Sequence, residues 1–395
     1  MMNEETRKLN RMSVFLPPSA IGILGGGQLG RMLALEARRS GYRVVVLTDE
    51  PKGCPAGQFA DVELNGSYTD AALLGRFLEQ VDVVTAEFEN IPDACLRAVE
   101  AVKPLRPGRM AIYTAQHRER EKLFLREHGI ACAPFRIVED LAGLEKAVAE
   151  LGRPCVIKTA AFGYDGKGQA KVTEATVLAE VWKAFEGAHA VVEQWVPFVM
   201  EVSVVGARGV DGSTAVHGVI ENEHADHILD VSIAPARVSA AVEREALKLW
   251  EAVAVGLDYV GTMAVEMFVT GSGEVMVNEI APRPHNSGHH TIDACGTNQF
   301  LQQMRAVCGL PLGEAGLRTP AVMVNLLGDV WPEPEVHPDW SAVLEHPRAK
   351  LHLYGKEQAR AKRKMGHFTV VGEEVEAVLT EAREMQGRLR DFGQD

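Results

Sequence analysis

Apolar and polar positions alternate in short blocks along the 395 residues, and glycines punctuate them. The run Ala20–Leu24 is apolar and stops at Gly25-Gly26-Gly27; a helical pattern from Gln28 to Ser40 follows, ended by Gly41. Further strand patterns lie at Arg43–Leu47 and Val81–Thr85, the latter running into Ala86-Glu87-Phe88-Glu89-Asn90. Strand, helix, strand in this order predicts a parallel sheet with functional loops at the strand C-terminal ends.

A charged helix is expected over Gln116–His128, then a short strand at Pro134–Arg136. Strands at Cys155–Lys158 and Val191–Glu193 enclose a glycine-rich stretch and a helix, which reads as a small α+β unit. Longer strands follow at Glu201–Ala207 and Thr214–Val219, then a hairpin over 262–281. Beyond 320 come more strands, a basic stretch over 348–364 and a final helix. The class is α/β, divided as a loose tail (1–18), an N-terminal parallel-sheet domain (19–115), a small domain (116–190) and a mixed-sheet remainder (191–395).

Composition narrows the classes. At 46% hydrophobic and 24% charged residues the chain can bury a sizeable core, so disorder and fibrous folds are excluded. A net charge of −13 makes nucleic acid or an anionic membrane an unsuitable partner, and an anionic substrate would need a local basic cluster. The six cysteines form no CxxC pair and read as reduced, buried thiols. No apolar run approaches the ~18 residues of a membrane span, nor is there a signal-peptide pattern, so a cytoplasmic location is expected.

Four segments carry candidate chemistry. Gly25-Gly26-Gly27-Gln28-Leu29-Gly30 fits G-x-G-x-x-G, with Asp49 near the offset of a ribose-binding acid, which leaves a nicotinamide oxidoreductase open. The loop Phe162-Gly163-Tyr164-Asp165-Gly166-Lys167-Gly168 follows Lys158 and can fold over a polyphosphate, or be only a flexible hairpin tip. In the hairpin, placing Thr270 opposite Val275 sets Glu266 opposite Glu279, and such a pair repels unless a cation sits between; magnesium carrying phosphates fits best. Next comes Pro282-Arg283-Pro284-His285-Asn286-Ser287-Gly288-His289-His290, rich in donors but without a matched set of zinc ligands. The basic stretch, including Lys356, Arg363 and Lys364, is either a solvated face or a pocket for a monoester phosphate.

Together GGGQLGRM (25–32), AEFEN (86–90), KTAAFGYDGKGQ (158–169), EQWVPF (193–198), EVSVVGARG (201–209), VEMFV (265–269), NEIAPRPHNSGHHT (278–291) and LYGKEQARAKRKMGH (353–367) resemble the carboxyaminoimidazole ribonucleotide synthetases, ATP-grasp enzymes of purine biosynthesis. The resemblance covers about residues 20–370. It implies a Rossmann-like N-terminal domain, a lid domain and a C-terminal part forming the grasp. It further implies that ATP and bicarbonate give carboxyphosphate, which carboxylates the exocyclic amine of 5-aminoimidazole ribonucleotide, and that the enzyme is a homodimer.

By resemblance Glu266 and Glu279 would hold magnesium. Arg118, Lys158 and the loop Phe162, Gly163, Tyr164, Asp165, Gly166, Lys167 and Gly168 would meet the ATP phosphates. Glu193, Gln194, Trp195 and Val196 would frame adenine, Glu201 would take the ribose, and His224 and Asn278 would lie nearby. Arg283, His285 and Asn286 would be catalytic, and Gln28, Glu87, Lys356, Arg363 and Lys364 would bind the ribonucleotide. One departure matters: Ala281 stands where many ATP-grasp enzymes carry asparagine two residues after the second metal glutamate, and Asn278 precedes that glutamate instead. The related formate-dependent glycinamide ribonucleotide transformylases read PRPHDTG in the corresponding segment, so Asn286 and the GYDGKG loop favour the synthetase. That sister activity, and nucleotide binding without turnover, are the alternatives.

Overall fold

The structure, a computed structural model, describes residues 13–160, 168–185, 189–333 and 336–391. Three sheets organise it. The first is parallel, ordered β3-β2-β1-β4, from β1 (Ala20–Leu24), β2 (Arg43–Thr48), β3 (Val62–Asn65) and β4 (Val83–Ala86). The strand expected from Val81 begins at Val83, and β3 was not foreseen because Val62-Glu63-Leu64-Asn65 is half-buried and has no long apolar run. Helix α1 (Gln28–Arg39) follows β1 and buries Leu29, Met32, Leu33, Ala34 and Ala37.

The second sheet is antiparallel, ordered β5-β8-β6-β7, with β5 (Phe135–Val138), β6 (Cys155–Thr159), β7 (Gln169–Val172) and β8 (Ala190–Gln194). It runs past residue 190 to Gln194, so β8 belongs with the small unit. Before it lies α2 (Arg118–Glu127), shorter than its charge pattern suggested, yet burying Glu121 and Lys122 alongside Phe124 and Leu125.

The third sheet has eight strands, ordered β13-β12-β9-β10-β11-β14-β16-β15. They are β9 (Phe198–Arg208), β10 (Thr214–Ala225), β11 (Ile228–Ala234), β12 (Gly261–Thr270), β13 (Val275–Ala281), β14 (Ala321–Leu327), β15 (Ala349–Leu353) and β16 (Lys364–Val371). Its neighbouring strands pair antiparallel.

Helix α3 (Gln299–Val307) joins the first and third sheets. Asn298 caps it, accepting from the N–H groups of Phe300 and Leu301. Phe300, Met304 and Val307 share one core with Leu29, Met32 and Leu33 of α1. The amide of Gln303 accepts from Thr262 N–H on β12 and donates to Thr85 Oγ1 on β4 at 2.9 Å. The link between β15 and β16 docks on the N-terminal unit, where Gln58 Nε2 donates to the Gly355 carbonyl at 2.9 Å. Gly355 has φ +70°, and a side chain there would press on Gln58 and Arg31.

Histidines cluster in the buried layer beneath this link. His352 stacks on His367 with ring centroids 4.5 Å apart, His367 lies 4.8 Å from His289, and the Tyr354 hydroxyl meets His367 Nδ1 at 2.9 Å. Burial pushes His217 down to about 3 and His290 down to about 4, and holds His289 and His367 well below the ordinary value. These imidazoles stay neutral in the fold but protonate near pH 6.5 once unfolded. The unfolded state therefore binds more protons between about pH 6.5 and 4, and stability drops as pH falls through that window, by up to about 1.4 kcal/mol per pH unit for each histidine. Urea midpoints should decline steadily from pH 6.5 to 4; a flat profile would contradict the burial of neutral rings.

Candidate active site

The hairpin β12–β13 sets the site's geometry. Val269 faces Val275, so the register next to the turn is one residue off the expected Thr270–Val275 pairing. Carried on unbroken, it would put Asn278 opposite Glu266. The ladder instead shifts between Glu266 and Met267, one extra residue is accommodated on β13 at Asn278, and Glu266 faces Glu279. The expected carboxylate pair is present, reached through a bulge. The bulge also lets consecutive residues, Asn278 and Glu279, both line the cleft. Helix α2 grips it from both sides: Lys122 Nζ donates to the Asn278 carbonyl at 3.0 Å, and Glu121 Oε2 accepts from Ile280 N–H at 3.2 Å.

Beside the hairpin sits a buried charge cluster. Glu193 on β8 contacts Lys158 of β6 at 3.0 Å, Lys122 at 3.1 Å and Arg118 at 4.0 Å; Arg118 also reaches Glu279 at 3.5 Å. Burial would raise the Glu193 carboxyl, but Lys122, Lys158 and Arg118 hold it far below the usual carboxylate range. For Lys158 burial wins and lowers the ammonium, whereas Glu193 and Glu121 overcome burial and raise Lys122. Burial raises Glu121, against the pull of Lys122 and Arg118. Sequence reading missed Glu121 and Lys122, because a charged helix reads as solvated; the i, i+3, i+4 placement of Arg118, Glu121 and Lys122 on one face was the available signal.

Gln194, Trp195 and Val196 follow Glu193 into the same cleft, where Phe198 and Phe268 stack with centroids 4.6 Å apart. The Lys171 ammonium lies 3.7 Å above the Trp195 ring. Glu201 meets His224 Nδ1 at 2.9 Å; burial works against the imidazolium, yet Glu201 raises the His224 pKa overall. Gly168 lines the cleft, its carbonyl accepting from Thr159 N–H at 2.7 Å, while Phe162, Gly163, Tyr164, Asp165, Gly166 and Lys167 lie outside the described residues.

Arg283, His285, Asn286 and Lys364 line the opposite wall. Arg283 is engaged by Glu89 through Nε at 2.5 Å and Nη2 at 3.2 Å, a bidentate pair joining the third sheet to the loop after β4. His285 Nε2 lies 2.9 Å from Glu266. Both amide atoms of Asn286 are buried without a partner among the described residues.

The remaining expected ribonucleotide residues stand outside this cleft's lining. Gln28 opens α1, half-buried. Glu87 is buried, and its carboxylate accepts from Gly27 N–H at 2.7 Å and Gly30 N–H at 3.0 Å. A carboxylate thus fills the anion position at the α1 N-terminus, and a Cβ at Gly27 would lie 2.7 Å from Glu87 Oε1. The glycines make room for Glu87, and a dinucleotide pyrophosphate would find these donors taken; Asp49 is exposed. Lys356 donates to the Lys364 carbonyl at 2.7 Å, and burial, helped by Arg363, lowers its ammonium to about 8. Arg363 donates to the Gln358 carbonyl at 2.9 Å. Arg31, which sequence reading passed over, joins this basic edge through Gln58 at 2.5 Å.

The cleft holds about 810 Å³. Among its described lining residues, the carboxylates are Glu89, Glu193, Glu201, Asp226, Glu266 and Glu279, against the strong bases Arg118, Lys158, Lys171, Arg283 and Lys364. A polyphosphate therefore meets no net positive wall here. The facing pair Glu266 and Glu279, with the unpartnered Asn278 Oδ1 beside them, is the hard-oxygen set that magnesium takes when phosphates complete its shell. His289 and His290 are buried in the histidine layer and do not line the cleft. Among the described residues no helix is long and apolar enough to cross a membrane.

Known proteins match this architecture throughout. Residues 19–116 match the ribonucleotide synthetase preATP-grasp domain, 123–300 the ATP-grasp domain, and 321–381 the phosphoribosylaminoimidazole carboxylase C-terminal domain. The N5-carboxyaminoimidazole ribonucleotide synthase of Bacillus subtilis is 44% identical over 356 residues, covering 90% of this chain and 92% of that protein. The crystal structure of an N5-carboxyaminoimidazole ribonucleotide synthetase in its ADP complex superposes with a TM-score of 0.89 at 43% identity, over 97% of this chain and 100% of the other. The Aspergillus clavatus enzyme, crystallised with ADP and 5-aminoimidazole ribonucleotide, gives 0.85 at 31% identity over 94% and 99%. With the ATP-grasp architecture complete and relatives this similar along nearly its whole length, the chain belongs to the N5-carboxyaminoimidazole ribonucleotide synthase family of ATP-grasp ligases.

Proposed function

We infer that this protein is an ATP-dependent ligase that carboxylates the exocyclic amine of 5-aminoimidazole ribonucleotide in purine biosynthesis, with bicarbonate as the carboxyl source. The observation that carries the reading is the cleft itself, where the Glu266–Glu279 pair, Lys158 and Arg118 converge beside the stacked Phe198–Phe268 face.

ATP lies with its base against Gln194, Trp195, Val196 and the phenylalanine pair, its ribose at Glu201 and His224. Its phosphates reach Lys158 and Arg118. Glu266 and Glu279, with Asn278 adjacent, would hold magnesium, which would supply charge neutralisation at the phosphates. A bicarbonate oxygen attacks the γ-phosphorus and ADP leaves, giving carboxyphosphate. The ribonucleotide amine then attacks the carboxyl carbon, phosphate departs, and the nitrogen gives up a proton. No covalent enzyme nucleophile is required. The chain's own contribution is to orient both partners, exclude water from a labile intermediate and place cations along the phosphates.

The ribonucleotide's monoester phosphate is assigned to Lys356, Arg363 and Lys364, with Gln28 and the Glu87-braced loop on the facing side. Arg283 and Asn286 stand between the two substrate positions, and Arg283 keeps its angle through Glu89. The protein acts as a cytoplasmic homodimer in this reading.

ADP release should rise strongly when the ribonucleotide and bicarbonate are added together to ATP and magnesium. Activity with glycinamide ribonucleotide and formate in its place would transfer the assignment to the sister ligases, and an absence of ATP consumption under every condition would end the ligase reading. Glu279→Gln should raise the magnesium concentration needed for half-maximal rate by roughly 10–100-fold; an unchanged requirement would remove Glu279 from the metal. Arg363→Ala deletes one charged contact of about 1.5–3 kcal/mol, so KM for the ribonucleotide should rise roughly 10–100-fold with KM for ATP steady. Equal rises in both constants would place Arg363 elsewhere.

A further inference from the structure

Under the cleft a line of buried polar groups crosses the third sheet and ends on His285. Ser232 on β11 donates from Oγ to Asn222 Oδ1 on β10 at 3.0 Å. Asn222 Nδ2 donates to Ser203 Oγ on β9 at 2.9 Å, and Ser203 Oγ donates to Ser287 Oγ at 2.7 Å. Ser287 Oγ lies 3.0 Å from His285 Nδ1. Ser203, Ser232 and Ser287 are fully buried and Asn222 nearly so, which leaves no solvent to satisfy a misdirected hydroxyl.

One donor in this line has a fixed sense. The backbone N–H of Ser287 points at His285 Nδ1 at 3.3 Å, and a peptide N–H can only donate. Nδ1 is therefore an acceptor, so the Ser287 hydroxyl proton is also turned toward it. Ser287 Oγ must then accept from Ser203, Ser203 from the Asn222 amide nitrogen, and the Asn222 oxygen from Ser232. Each link fixes the next, and reversing any one would set two protons against each other in a buried contact, costing about 1–3 kcal/mol. On the far side of the ring, Nε2 faces Glu266 at 2.9 Å, where a carboxylate can only accept.

We propose that the Ser287 peptide N–H sets His285 as its Nε2–H tautomer and that the line Ser232–Asn222–Ser203–Ser287 is a positioning device that turns a second donor, the Ser287 hydroxyl, onto Nδ1, so that the imidazole donates to Glu266 and fixes the orientation of that carboxylate in the cleft. His285 is a hydrogen-bond donor to a ligand carboxylate, and its Nδ1 lone pair is occupied and unable to take a proton from substrate. Ser203 and Asn222 touch no substrate position; they act on the site through the imidazole. The donor sense rests on the fold alone, whereas its effect on turnover rests on the ligase reading.

The test is nitrogen NMR of protein carrying 15N-histidine, without nucleotide, at about pH 8, where carboxyl groups are ionised. The His285 signals are assigned by their loss in His285→Gln. A pyridine-type Nδ1 and pyrrole-type Nε2 are expected in the native chain. Asn222→Asp keeps the shape but can only accept, so it draws the Ser203 proton away from Ser287, whose hydroxyl then turns from Nδ1 to Ser203; Nδ1 stays pyridine-type under the peptide N–H alone, and its signal should move toward that of an unbonded pyridine-type nitrogen. Breaking the line in Asn222→Asp/Ser203→Ala should return the signal to the native pattern, and kcat should fall roughly tenfold in the single variant with recovery in the double. A purely structural role for Asn222 would make the double variant worse. A pyrrole-type Nδ1 in the native protein, or an Asn222→Asp variant with native signals, would overturn the proposal. The native spectrum decides by itself if a variant does not fold, and it does so without turnover, so loss of the ligase reading would leave the result standing.

Discussion

The ion cluster around Glu193 is the constraint on which the cleft depends. One buried carboxylate on β8 holds ammonium groups from β6 and α2, and α2 in turn holds the backbone on both sides of the β13 bulge. Two sheets and a helix are thereby locked to a single charged point. Within the cluster Glu193 answers Lys122, Lys158 and Arg118, and Glu279 at its open side also answers Arg118, so each of these cations has a carboxylate within reach. Removing one member strands its partners, which makes the arrangement all-or-none and keeps the phosphate-facing cations at fixed positions.

The balance also bears on what a phosphate ligand would meet in the cleft. Six carboxylates stand against five strong bases on its described walls, so a nucleoside triphosphate brings charge those walls have not offset. Glu266 and Glu279, set opposite each other by the bulge, are a pair whose mutual repulsion a divalent ion would relieve. Close to the cleft, next to Arg283, the same electrostatic logic runs in reverse. The α1 N-terminus, an anion site by its nature, is filled internally by Glu87, which removes the dinucleotide option and braces the loop instead.

Much of this could be read from the chain. Glycine punctuation located β1, α1 and β2, and the sequence from Asn278 to Thr291 located the wall carrying Arg283, His285 and Asn286. The Glu266–Glu279 pairing was reached by assuming an unbroken ladder from the turn; the ladder is one residue out there, and the bulge at Asn278 restores it. The bulge's mark is the pair of consecutive polar residues, Asn278 and Glu279, that breaks the two-residue alternation, and a constant index sum passes over it. Lys122 and Glu121 were hidden because hydrophobic periodicity assigns charges to solvent, and only the tertiary meeting of α2 with β8 and β13 buries them. The role of Glu87 was concealed by its distance of 60 residues from the Gly27 amide it caps. Short motifs record which residues are available, and long-range contacts decide what they hold.

The helix joining the first and third sheets has a cost during synthesis. The apolar face of α1 is covered by Phe300, Met304 and Val307, and Thr85 waits for Gln303, 218 residues further along the chain. At ribosomal speeds of about 5–20 residues per second, the N-terminal unit emerges roughly ten to forty seconds before its cover does. Leu29, Met32 and Leu33 sit in that core and are left without it for the interval. The emerging half of the molecule is thus a sticky intermediate by construction, and its yield in the cell depends on how well that one face is shielded until the last third of the chain arrives.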